Sequence, residues 1–180
     1  MTPGELIDFW FSEPSRQHWF RSTPQHDRDI RSRFERLWEQ ARDGQLVHWE
    51  QSATGALALV ILLDQLPLNM FRERPPGFSS EAQAREVADR AIARGFAAAL
   101  TEEQKSFLYM PFMHSESPAD QDRSVSLYAA AGLDDSLKWA RHHREIIPRF
   151  GRFPHRNAIL GRESTAEERQ WLDSPEGYRP

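Results

Sequence analysis

Apolar residues recur three and four positions apart along the chain, and polar punctuation separates the runs. Leu6, Phe9 and Trp10 follow Thr2-Pro3-Gly4-Glu5, the pattern of a capping box with proline at the first helical position. Ile30, Phe34, Leu37, Trp38 and Ala41 follow Thr23-Pro24 at helical spacing, and Asp43-Gly44 ends that run. Arg31, Arg33, Glu35 and Arg36 lie mostly off the stripe and read as a solvated face. Ser52 to Leu66 is apolar nearly all round, which predicts a helix at the centre of a bundle. Pro67 is expected to stop or kink it.

Arg72 to Gly77 reads as a loop, and Ser80 to Arg94 as a helix with Ala84, Val87 and Ala91 inward. Thr101 and Gln104 predict a cap for the next helix, in which Phe107, Leu108 and Met110 pack and which ends at Pro111 and the segment after it. Ser117-Pro118 opens a helix running to Gly132. Asp134 or Asp135 opens another ending near Phe150, with Trp139, Ala140, His143, Ile146, Ile147 and Phe150 on one face. Ser164-Thr165-Ala166-Glu167 reads as a last capping box before a short helix around Trp171. No run alternates with period two and no hairpin turn appears. The pattern predicts an all-α fold, a bundle of about seven to eight antiparallel-paired helices in a single domain over residues 1–180. No repeat of fixed period is visible.

A chain of 180 residues buries roughly 70% of its unfolded surface and needs no disulfide or metal to fold. It has no cysteine, which removes disulfides, thiolate catalysis and cysteine-based metal sites. With a net charge of -4, it lacks the basic excess of a general nucleic-acid binder. The opening MTPGELIDFWFSEP makes a poor signal peptide. Ala53 to Leu63 is too short for a membrane span and is closed by Asp64. A cytoplasmic location is expected, with no membrane and no nucleic-acid partner. Six tryptophans and eleven phenylalanines supply a packed core, to which Phe9, Trp10, Phe11, Trp19 and Phe20 are assigned in preference to a dimer face.

No phosphate loop, dinucleotide fingerprint or hydrolase elbow is present. Three segments carry candidate chemistry. Asp64, Gln65 and Asn69 sit around Pro67 at the end of the apolar helix. There they serve either as local caps or as polar groups at a core boundary. His114, Ser115 and Glu116 follow an aromatic run and place imidazole, hydroxyl and carboxylate together. From His143 the chain runs on to Arg152, His155, Arg156 and Asn157. His143 falls on an apolar face, where a hydrogen-bonded core histidine is the bland reading. Arg152 and Arg156 could fork onto a carboxylate or phosphate, or could instead cap helix carbonyls and stack on rings.

At these segments the chain resembles the domain of unknown function 924 family, a mainly bacterial group with an all-α fold related to tetratricopeptide repeats. The matching stretches are Phe9-Trp10-Phe11, Trp19-Phe20, Leu63 through Asn69, Tyr109 through Glu116 and, most specific, FGRFPHRNAILGR from Phe150 to Arg162. The resemblance implies a fold and no activity. The family usually has arginine where this chain has Leu68, which implies a weakened or altered site if that arginine binds anything.

The residues allow three readings. In one, Asp64, Gln65, Asn69, Arg152, His155, Arg156 and Asn157 hold a small anionic metabolite, with His114, Glu116 and His143 as candidate catalytic groups for a hydrolysis. In a second, the polar set is structural and the helices present a surface to a protein partner. A third reading is a metal site, since His114, Glu116, His143 and His155 could supply three or four nitrogen and oxygen ligands, but their spacing matches no metal signature, so neither metal nor cofactor is expected.

Overall fold

The computed structural model describes residues 1–177 and is all-helical, with no strand among them. The helices are α1 (Pro3–Trp10), α2 (Glu13–Arg16), α3 (Pro24–Arg42), α4 (Ala53–Val60), α5 (Leu66–Met70), α6 (Glu81–Ala93), α7 (Glu102–Met113), α8 (Pro118–Ala130), α9 (Asp134–Phe150) and α10 (Ala166–Leu172). They form two compact units, Met1–Pro111 and Phe112–Pro180.

In the first unit α4 is the centre, packed by α1 and α6. Thr2 and Glu5 make the reciprocal capping box of α1, the Thr23 hydroxyl accepts from the His26 N–H, and Thr101 and Gln104 cap α7 reciprocally. These caps stand where the sequence puts them because each satisfies amide groups that a first turn leaves open. Of the N-terminal aromatics, Trp10 is buried, whereas Phe20 is 75% exposed, contrary to its assignment to the core.

Pro67 does not end the central helix. Residues Ile61–Gln65 form a π turn in which the Leu66 N–H bonds to the Ile61 carbonyl five residues back, and the helix continues into α5. A proline's ring clashes with the carbonyl four residues earlier, here Leu63, and offers it no N–H. The π turn moves the Leu63 carbonyl out of register, and the Ser80 hydroxyl donates to it at 2.6 Å. The same hydroxyl accepts from the Trp38 indole at 3.0 Å. Ser80→Ala strands both buried groups, so a loss of about 2 kcal/mol in urea unfolding is expected.

With α5 included, Ala53–Met70 is long and apolar enough to cross a membrane, but 78% of that window is buried inside the protein. It is a core helix, and burial rather than shortness is what identifies it. Pro111 likewise lies inside α7, which ends two residues later at Met113, in the segment after the proline where the sequence put its end.

In the second unit α8 and α9 pack on each other across the short turn at Ala131–Leu133. The buried face of α9 is Leu137, Ala140, His143, Ile146 and Ile147. Trp139, which the sequence put on this face, is 53% exposed, and Leu137, which it left out, is buried. One residue of helix is a rotation of about 100°, enough to turn the stripe's edge to solvent. Gly151, at φ 71°, closes α9 in the left-handed conformation that only glycine adopts without penalty.

Candidate functional site

The turn after α9 is built on Phe153, which is fully buried with Ile146, Ile147 and Trp171. This apolar seat fixes the polar residues on either side. Arg152 points to α10, where its Nε and Nη2 donate to the two oxygens of Glu168 at 2.7 and 2.9 Å. Glu168 is 2% exposed and also accepts from the Thr165 N–H at 2.8 Å. The capping box of α10 is therefore Thr165 with Glu168, one residue later than Ser164 with Glu167. Glu168 is chosen because it alone serves both the cap and Arg152.

A second ion pair closes the other side. Arg162 grips Glu116 with both terminal nitrogens at 2.7 and 2.8 Å, and Glu116 accepts from the Phe153 N–H at 2.8 Å. Asn157, fully buried, links the two pairs. Its amide donates to Glu168 at 3.1 Å and to the Ser164 hydroxyl at 3.0 Å, and its oxygen accepts from Arg162 Nε at 3.0 Å. Ser115 donates to Asp120 at 2.6 Å, and the Gln121 amide donates to the carbonyls of Met113 and Ser115, so the His114–Glu116 segment is anchored to α8.

Around the Phe153 ring lies a cluster of one guanidinium and two imidazoles. The Arg156 guanidinium, 7% exposed, stacks over the Phe153 ring at 4.9 Å. His143 and His155 flank the same ring, each with its centroid 5.6 Å away. The His143 Nδ1 is 2.9 Å from the Trp139 carbonyl, so this nitrogen carries the proton. Burial pushes the His143 imidazole down to about 4. Burial and the neighbouring Arg156 charge push His155 down to about 3. His114 lies within electrostatic reach of both. Burial raises the Glu116 carboxyl, but Arg162 and the Phe153 N–H outweigh it and hold it below its ordinary value. At neutral pH the imidazoles are therefore uncharged beside a buried guanidinium, and the two carboxylates are each matched by an arginine.

The sequence profile described as "Bacterial protein of unknown function (DUF924)" matches residues 6–176. The chain belongs to the DUF924 family. A solved structure of a protein of unknown function from Agrobacterium tumefaciens is similar to it, with 40% identity and a TM-score of 0.89, over 95% of this chain and 96% of that one. No curated protein matches the chain.

In this DUF924 protein the candidates read from sequence fall into both units. His114, Glu116, His143, Arg152, His155, Arg156 and Asn157 belong to the second unit, where the turn after α9 gathers them. Asp64, Gln65 and Asn69 belong to the first. There Asp64 is fully buried and accepts from the Gln65 amide at 2.6 Å. The Asn69 amide donates to Asp27 at 2.8 Å, which Ser22 and Arg72 also grip. Neither Asp64 nor Asn69 is a helix cap. Leu68, where the family usually has arginine, is half-buried on α5. Arg162 is the residue that sequence reasoning missed. It lay at the edge of the most specific stretch, and only its fork onto Glu116, 46 residues away, reveals its part.

Proposed function

We propose that the turn after α9 binds a small anion, with Arg156 as its charged anchor and His143 and His155 as its polar walls. The observation that carries this reading is a buried guanidinium set beside two imidazoles held neutral by burial. A guanidinium in low dielectric attracts carboxylate or phosphate oxygens more strongly than one in water, and neutral imidazoles can each offer an N–H or a lone pair. Arg152, paired with Glu168, and Asn157, bonded to Arg162, would frame the site on either side.

Anion binding would raise both imidazoles from about 4 and about 3 toward neutrality, because a negative charge nearby favours the protonated ring. Histidine in that range takes a proton from water well, so hydrolysis of a phosphate or carboxylate ester is the reaction class to assay, with His143, His114 and Glu116 as its acid–base candidates. The same proposal places the protein in the cytoplasm, with no nucleic-acid or membrane partner. Exposed Trp139 favours, as the second reading, a helical module that contacts another protein.

Calorimetric titration with inorganic phosphate and with citrate tests the site. The expected result is saturable binding of one of them that weakens at least tenfold in Arg156→Gln, with the helical circular dichroism retained. No binding of either anion, or equal binding by the variant, overturns the proposal.

A further inference from the structure

The first unit carries a cavity of its own, between α3 and the loop that follows α5. Its volume is about 460 Å³, and it is lined by Glu35, Trp38 and Arg42 of α3 and by Phe71, Pro75, Pro76 and Ser79. We infer that this cavity is a binding site for a small aromatic monocarboxylate, with the ring held against Trp38, Phe71 and the two prolines and the carboxylate held by Arg42.

The walls supply the apolar part of this reading. The Trp38 indole N–H is spent inside the protein on the Ser80 hydroxyl at 3.0 Å, so the ring offers the cavity carbon only. Phe71 meets Trp38 with ring centroids 4.8 Å apart and planes 57° from parallel, which makes two aromatic walls set at an angle. The prolines belong to the tight helical turn Pro75–Phe78. That turn is pinned by the Arg74 N–H on the Phe71 carbonyl at 2.9 Å, the Gly77 N–H on the Arg74 carbonyl at 3.0 Å and the Ser79 hydroxyl on the Pro76 carbonyl at 2.8 Å. Walls fixed in this way lose little freedom when a ligand enters. Aromatic and proline faces are flat, so a planar ring covers them better than a branched chain does. The volume lies within the roughly 300–1,000 Å³ of small-molecule sites, which are likewise mostly apolar with a few polar groups that fix orientation.

Arg42 supplies the charge. Its guanidinium stacks over the Trp38 ring at 4.9 Å, and its Nε donates to Asp43 at 3.0 Å. Its two terminal nitrogens have no partner among the described residues. The outer edge of the fork is therefore open to both oxygens of a carboxylate. The neighbouring guanidinium is not open in this way. Arg31 lies over the Phe71 ring at 5.5 Å, but Glu35 closes it through two bonds of 2.9 Å.

Glu35 also limits the ligand to one carboxylate. It stands seven residues before Arg42, about 10 Å along α3, and its own charge is already matched by Arg31. A second acid at that end of the cavity would meet a carboxylate and no open cation.

Two-dimensional nuclear magnetic resonance of the full chain, titrated with phenylacetate and read at the Trp38 indole N–H, tests the site. Saturable movement of that signal is expected. Acetate, which lacks the ring, and phenylacetamide, which lacks the charge, should each bind at least tenfold more weakly. Arg42→Gln should weaken phenylacetate to the level of phenylacetamide with the helical circular dichroism retained. Arg36→Gln, at an exposed arginine of the same helix, should leave it unchanged. No saturable movement at Trp38, phenylacetamide binding as tightly as phenylacetate, or undiminished binding by Arg42→Gln overturns the inference.

Discussion

Glu168→Ala is expected to lower the melting temperature of the C-terminal unit by roughly 6–12 °C, the equivalent of about 3 kcal/mol for a chain of this size. Glu168 is 2% exposed and accepts from Arg152 through both its oxygens, from the Thr165 N–H and from the Asn157 amide. Alanine leaves a guanidinium, a helix-capping amide and a buried side-chain amide short of an acceptor in one step. A surface ion pair lost in the same way costs less than about 1 kcal/mol. Arg149 with Glu167 is such a pair, and Glu167→Ala serves as the control with a small shift.

Acid provides the second reading of the same residue. The Arg152 pair holds the Glu168 carboxyl down to about 2. A depressed carboxylate stabilises the fold above its unfolded pKa of about 4.3 and loses that contribution as pH falls toward 2. Above that window the imidazoles act in the same direction. His143 stays neutral down to about 4 and His155 to about 3, while in the unfolded chain both protonate near 6.5. Stability should therefore fall in two stages, first below pH about 6.5 and again below about 4.5, and Glu168→Ala should weaken the second, which the depressed carboxyls of Glu116 and Asp27 share. A wild-type curve flat from pH 7 to 3 would contradict this account.

Gly55→Ala is expected to destabilise the N-terminal unit by about 3 kcal/mol or more, although helix propensity alone favours alanine by about 1 kcal/mol. A Cβ at Gly55 would stand 2.0 Å from the Trp49 carbonyl oxygen and 2.8 Å from its carbon. That carbonyl cannot retreat easily. Trp49 is buried, Arg90 grips the next residue, Glu50, at 2.7 and 2.8 Å, and Arg94 holds the Glu50 carbonyl. The clash outweighs the propensity because the obstacle is backbone in a pinned turn. Urea unfolding decides the sign, and an alanine variant more stable than the wild type would contradict the packing at this turn.

What could be read from the sequence was whatever depends on neighbours in the chain. The caps at Thr2, Thr23 and Thr101 were legible because a first turn needs its acceptor within three residues. The π turn was not, since Pro67 displaces the Leu63 carbonyl, and its partner Ser80 lies 17 residues beyond Leu63. The cap of α10 shifted by one residue for the same reason, because Arg152 selects Glu168 over Glu167. Periodicity placed His143 inside correctly but put Trp139 there too, since a stripe seen in one dimension does not show its own edge. At the candidate site, composition flagged Arg152, His155, Arg156 and Asn157 as a group. It could not pair Arg152 with Glu168, nor find Arg162 on Glu116, because those pairings cross 16 and 46 residues.

The central claim, an anion site at Arg156 walled by neutral imidazoles, is tested most directly by the proton titration of His143 and His155 followed by nuclear magnetic resonance, with and without inorganic phosphate. Without phosphate, both rings should titrate well below pH 6. With saturating phosphate both should move upward by about one unit or more, and Arg156→Gln should abolish the movement. Rings that titrate near 6.5 in the free protein, or that ignore phosphate in the wild type, would contradict it.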